Sequence, residues 1–169
     1  MFTMQLTPRE LGKLANFVVL LKWAREKSAL KKPIYPKTQV AVDFDSFCAK
    51  QALANKLDVF FPLVIWEKWP GYDMVYRGHT LQAKLVYHFS NGLYYRHYGK
   101  FKADIGVVLT PFSIPYVFEV VGWLKQKEFR DNAIWEEMIE TNLWVSPDLL
   151  HPFEELENIE PQSPRLRAD

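Results

Sequence analysis

A chain of 169 residues and 19.9 kDa is the size of one domain with a substantial core. Its 49% hydrophobic and 15% aromatic content excludes an intrinsically disordered protein, and its single cysteine, Cys48, excludes an internal disulfide and argues against a thiolate zinc site. The net charge of +1 conceals a division: residues 1–108 carry 16 Lys/Arg against 8 Asp/Glu, and residues 109–169 carry 5 against 12. The basic body suits a polyanion such as nucleic acid, and equally suits neutralisation by its own acidic last third.

The apolar runs Phe17–Leu21 and Val59–Trp66, ended by Lys22 and Glu67, are too short to span a bilayer, and the first residues lack the pattern of a secretory signal. The expectation is a cytoplasmic protein without a membrane partner. Thr7-Pro8-Arg9-Glu10 reads as a capped helix start, and Leu11, Leu14, Val18, Leu21 and Ala24 follow at helical spacing, predicting a helix over Pro8–Ser28. Pro33 and Pro36 enforce a loop, and a second helix is expected over Val42–Leu57. Val59–Ile65 reads as a buried strand, which Pro62 confines to an edge or a bulge.

The stretch Gly71–Leu85 carries the candidate chemistry. Asp73 precedes a short apolar segment, Met74–Tyr76; Arg77-Gly78 can turn the chain, and Leu81–Tyr87 can return beside it. Strand alternation puts Gln82 and Lys84 on one face and Ala83 on the other. One carboxylate, one amide oxygen and one ammonium can then meet at a point. A hard cation such as Mg²⁺ takes oxygen ligands and keeps several waters, so a sparse cluster can hold it, and a lysine beside it can orient a water or offset charge on a phosphate. The plainer reading is a turn aspartate and a solvated strand face.

The succession Asp45, Leu53, Val59, Pro62, Tyr72-Asp73 and Gln82-Ala83-Lys84 resembles the PD-(D/E)XK nuclease superfamily, most of all its branch related to group I intron homing endonucleases, in which the pair of motifs becomes Asp and Gln-x-Lys on a hairpin. The resemblance spans about half the chain, Asp43–Val121. It implies that Asp73 is the metal-binding aspartate, Gln82 the second metal residue, Lys84 the catalytic lysine and Asp45 the helix acid, where a Glu is usual. It implies Mg²⁺ or Mn²⁺ as cofactor, held also by the Ala83 carbonyl.

Further on, Ser90-Asn91-Gly92 is a turn, and Leu93–Lys102 interleaves aromatic with basic residues. Arg77, Tyr94, Tyr95, Arg96, His97, Lys100 and Lys102 are the candidate nucleic-acid contacts, cations for phosphates and rings for splayed bases; the alternative is a half-exposed strand. Strands are expected over Asp104–Thr110 and Tyr116–Val121. They raise a rival register in which Asp104 and Glu119 are the acids, Val121 stands at the lysine position, and Lys125 would have to supply the amine. A helix is expected over Glu128–Leu143, and a disordered acidic tail from Glu154. Together these predict one α/β domain over residues 1–153 with a mixed, mostly antiparallel central sheet flanked by helices, resembling the restriction-endonuclease-like core. The expected function is metal-dependent hydrolysis of DNA, with RNA left open as substrate and a homo-oligomer as the form that would cut both strands. The alternative is a catalytically inactive nuclease fold that binds nucleic acid or a protein partner.

Overall fold

Thr7 opens the first helix as its sequence requires. Its hydroxyl and its N–H donate to the Glu10 carboxylate at 2.7 and 2.8 Å, and the Glu10 N–H donates back to the Thr7 hydroxyl at 3.3 Å. These bonds hold the Glu10 carboxyl below its ordinary pKa. The helix, α1, runs Pro8–Ser28, the span expected from its spacing. The computed structural model describes residues 3–28, 37–63, 70–87, 92–95, 97–136 and 142–163, with the backbone alone at 24–28, 37–42, 136 and 142.

Helix α2, Lys37–Lys56, begins five residues before the expected Val42. It ends where Asp58 takes a left-handed φ of 53° and the Val59 N–H reaches back to the Ala54 carbonyl at 2.9 Å, a C-terminal cap that satisfies an orphan carbonyl. The strand expected from Val59 does not form over the described residues Val59–Leu63, which have no ladder partner. Pro62 lacks the N–H a ladder needs, and Phe61 is buried while Phe60 is 82% exposed, so the segment serves as an irregular plug under α2.

The strands are β1 (Thr3–Gln5), β2 (Met74–Tyr76), β3 (His79–Leu85), β4 (Leu93–Tyr95), β5 (Ile105–Pro111), β6 (Val117–Lys125), β7 (Ile134–Glu136) and β8 (Asn142–Val145); α3 (Gln126–Asn132) and α4 (Phe153–Glu157) complete the elements. One sheet has the order β1-β6-β5-β3-β2, with β3 and β5 parallel and every other pairing antiparallel. A smaller antiparallel sheet has the order β4-β8-β7. The larger sheet is apolar on both faces. Leu81, Ala83, Ile105, Val107, Leu109 and Phe118 meet α1, α2 and α4 through Leu14, Leu53, Phe153 and Leu156. Val86, Val108 and Leu124 meet the smaller sheet and α3 through Leu93, Leu143, Val145 and Phe129. The result is a mixed, mostly antiparallel sheet flanked by helices, as its α/β patterning predicts.

Three expectations need correction. The helix over Glu128–Leu143 stops at Asn132: Ala133 is extended, and β7 pairs with β8 through Ile134↔Trp144 and Trp135↔Leu143. Pairing that buries Leu143 and Val145 in the second core overrides the local helical spacing. Met138 and Ile139 lie outside the described residues. The strand-like segment Leu93–Lys102 divides into β4 and a 3₁₀ turn over Tyr98–Lys100. The chain from Glu154 to Ser163 is also ordered, since α4 buries Leu156 completely and the residues after it lie across the β2–β3 turn.

Candidate active site

The site is built on the β2–β3 hairpin. Arg77 and Gly78 have φ of 48° and 82°, both left-handed, which gives the two-residue turn whose twist matches its strands. A side chain at Gly78 would collide with the Gln162 carbonyl oxygen as well as meeting strain. Because Met74 pairs with Leu81, Asp73 comes beside Gln82. Its N–H donates to the Leu81 carbonyl at 2.7 Å, and its Oδ2 accepts the Ala83 N–H at 2.9 Å. The carboxylate thus takes a backbone carbonyl's place in the ladder on the outer side of β3. Its Oδ1 accepts from Lys50 Nζ at 2.9 Å, with the Asp73 side chain 6% exposed.

Gln82 and Lys84 point together to the face covered by the smaller sheet, while Ala83 enters the helical core, as alternation requires. Gln82 neighbours Gly106, where an added Cβ would lie 2.8 Å from Leu93 and 3.0 Å from Phe101, so the second layer closes tightly here. The Gln82 Oε1 is buried and has no hydrogen-bond partner among the described residues. The Lys84 ammonium sits 4.8 Å from the centroid of the Tyr95 ring, which stacks on Phe101 at 4.6 Å and receives the edge of Phe129 at 5.2 Å. Burial lowers the Lys84 pKa, the charge of Lys50 lowers it further, and Asp73 opposes both. Burial, reinforced by the Asp73 charge, raises the pKa of the Tyr95 hydroxyl, which also lacks a partner among the described residues.

Asp73, Gln82, Ala83 and Lys84 therefore lie on one hairpin, with Asp73 across the ladder from Gln82 and bonded to the Ala83 N–H, and the residue that reaches Asp73 from the helix is Lys50. Asp45 accepts the Tyr87 hydroxyl at 3.2 Å, and lies about 7.5 Å back along α2 from Lys50. Lys50 has a faint sequence signal: it is a lone cation among Cys48, Ala49, Ala52 and Leu53, all fully buried. Of the candidate nucleic-acid contacts, Tyr94, His97, Lys100 and Lys102 are exposed. Tyr95 is 2% exposed and its ring is closed to a base; its place is beneath Lys84. The Arg77 guanidinium donates to the Ile159 carbonyl at 3.0 Å, and Arg96 lies outside the described residues.

The rival register is dispersed. Asp104 Oδ2 accepts the Thr80 N–H and hydroxyl at 2.9 and 2.8 Å, binding β5 to the start of β3. Lys125 pairs with Ile105 at one end of the β5–β6 ladder, whereas Glu119 pairs with Thr110 near the other, about 20 Å away. The register skips Val121, which makes it the extra residue of a β-bulge. Glu119 is buried, with its Oε1 unpartnered.

A divalent cation at the hairpin would draw on the Asp73 carboxylate and on the orphaned Gln82 oxygen. Among the described residues no three His, Cys, Asp or Glu side chains come together as a metal cluster. One carboxylate with one amide oxygen still fits Mg²⁺, which binds through few protein ligands and retains water. No family model matches the chain, nor does any curated protein or solved structure with which it was compared.

Proposed function

We propose that the protein is a metal-dependent phosphodiesterase acting on DNA, with the hairpin cluster of Asp73, Gln82 and Lys84 as its site and a restriction-endonuclease-like core as its framework. The observation that supports this reading is that one hairpin carries a buried carboxylate, across the ladder from a buried amide whose oxygen has no partner among the described residues, and a lysine whose charge is disfavoured. Mg²⁺ or Mn²⁺, when bound, would supply positive charge at the scissile phosphate. The Ala83 N–H and the hairpin backbone fix the Asp73 carboxylate, so the donor geometry is set before substrate arrives. Lys84, held on the Tyr95 ring, would orient the attacking water, whose proton passes to solvent, and offset the charge that builds on the phosphate. The water oxygen bonds to phosphorus, the bond from phosphorus to the leaving oxygen breaks, and solvent returns a proton to that oxygen. Tyr94, exposed on β4, and His97, Lys100 and Lys102, exposed on the segment after it, are the basic and aromatic contacts proposed for the nucleic acid.

The test is cleavage of plasmid, linear, branched and single-stranded DNA in Mg²⁺ or Mn²⁺. Asp73→Ala and Lys84→Ala should each abolish cutting with folding intact, and Glu119→Gln should leave it unchanged. Absence of cutting on every substrate sinks the hydrolytic reading. Salt-sensitive DNA binding without cleavage would favour the non-catalytic module, a reading that the occupation of Asp73 by Lys50 also supports.

A further inference from the structure

We propose that Lys50 is a resident counter-ion that a divalent cation must displace from Asp73, so that a helix lysine, and not a helix acid, sets the metal affinity of the site. The proposal deepens the hydrolytic reading and rests on it for the cation's role. Asp73 is almost completely buried, and a buried carboxylate is tolerated only when compensated. Lys50 Nζ at 2.9 Å and the Ala83 N–H at 2.9 Å provide that compensation with no metal.

The backbone that carries Lys50 is fixed. Cys48, Ala49, Ala52 and Leu53 around it are sealed in the core, so α2 cannot withdraw the lysine from the site. Its side chain is nevertheless 20% exposed, and among the described residues its further contact is the Phe47 ring, 5.7 Å from the ammonium. The ammonium can therefore swing off Oδ1 on its flexible stem and remain nearby. Two cations on one carboxylate oxygen would stand close enough to repel strongly in a partly buried site, so metal and ammonium compete. Gln82 adds a second observation: it stands across the ladder from Asp73, and its buried Oε1 has no donor among the described residues, which leaves an acceptor that a cation could use.

The experiment is a titration of the full chain with Mn²⁺ at constant ionic strength, following free Mn²⁺ by electron paramagnetic resonance. Lys50→Gln and Lys50→Met should bind Mn²⁺ at least about tenfold more tightly than wild type, because the competing charge is gone. Lys50→Arg, which retains the charge, should bind as wild type does. If Lys50→Met fails to fold, Lys50→Gln, whose amide can still donate to Asp73, carries the comparison. Thermal melts should show a larger Mn²⁺-induced rise in Tm for Lys50→Gln than for wild type. Equal affinities in wild type and folded Lys50→Gln would overturn the role of Lys50 while leaving the metal site in place. Mn²⁺ binding that survives Asp73→Asn would put the cation elsewhere and overturn it too. No Mn²⁺ binding by any form would overturn both this proposal and the metal-dependent reading, whereas tight binding without DNA cleavage would sink the hydrolytic reading alone.

Discussion

Lys84 is a cation placed where its charge is disfavoured, and that has a measurable consequence for stability. Its folded pKa lies below the ordinary 10.5, so between the lowered value and 10.5 the unfolded chain binds more protons than the folded one. Stability contributed at this position therefore rises with pH across that window. Urea denaturation of wild type and Lys84→Met should show the variant gaining relative to wild type at neutral pH, with the advantage shrinking as the pH approaches 10.5. Tyr95 gives a second case, because its hydroxyl is buried without a partner while its ring carries the contacts. Tyr95→Phe should be neutral or stabilising by up to about 1 kcal/mol, and Tyr95→Leu, which removes the ring beneath Lys84, should be destabilising. Cys48 is fully buried, and burial, with the charge of Asp45, pushes its thiol up to about 12. Thiol reagents at mildly alkaline pH should leave the native protein unlabelled and react once it is unfolded.

Among the elements, those with a strong local signal form as expected. Helix α1 has its capping box, the β2–β3 hairpin has Arg77-Gly78, and β5 and β6 have runs of apolar residues. The hairpin yields a sharp prediction: Gly78→Ala should lower stability by about 1–3 kcal/mol, through strain at a positive φ and collision with Gln162, and should make the C-terminal strap sensitive to limited proteolysis. Elements chosen by their partners were not legible. The stretch Glu128–Leu143 has helical spacing, yet beyond Asn132 its described residues belong to β7 and β8, and nothing local announces that Leu143 and Val145 will find a core beside Leu93 and Phe129. Val59–Leu63 shows the converse, an apolar run with strand residues but no neighbour to pair with.

The chain closes on itself through its acidic last third. The segment after α4 crosses the hairpin turn: the Gln162 N–H donates to the Arg77 carbonyl at 2.8 Å, the Tyr76 hydroxyl to the Glu157 carbonyl at 3.0 Å, and Arg77 to the Ile159 carbonyl at 3.0 Å. Lys56 adds an ion pair with Glu157 at 3.1 Å, so part of the charge division is neutralised within the fold. This strap covers the hairpin end of the β2 edge, which would otherwise present an open ladder. Leu156 anchors it in the helical core with no exposure, and Leu156→Ala should cost about 2–5 kcal/mol in chemical denaturation, a loss that truncation after Asn158 should not reproduce in full.

By itself the sequence determined the α/β class, the first helix, the hairpin and the place of Asp73, Gln82 and Lys84 along it, because each depends on local patterns of capping, turn and alternation. Those patterns act between residues close together in the chain. Only the tertiary structure decided that Lys50 and not Asp45 meets Asp73, that Tyr95 lies beneath Lys84 instead of facing solvent, and that the chain from Glu154 to Ser163 is ordered. Those outcomes join positions 11 to 82 residues apart, and they follow from which apolar surfaces pack together, a choice no local pattern encodes.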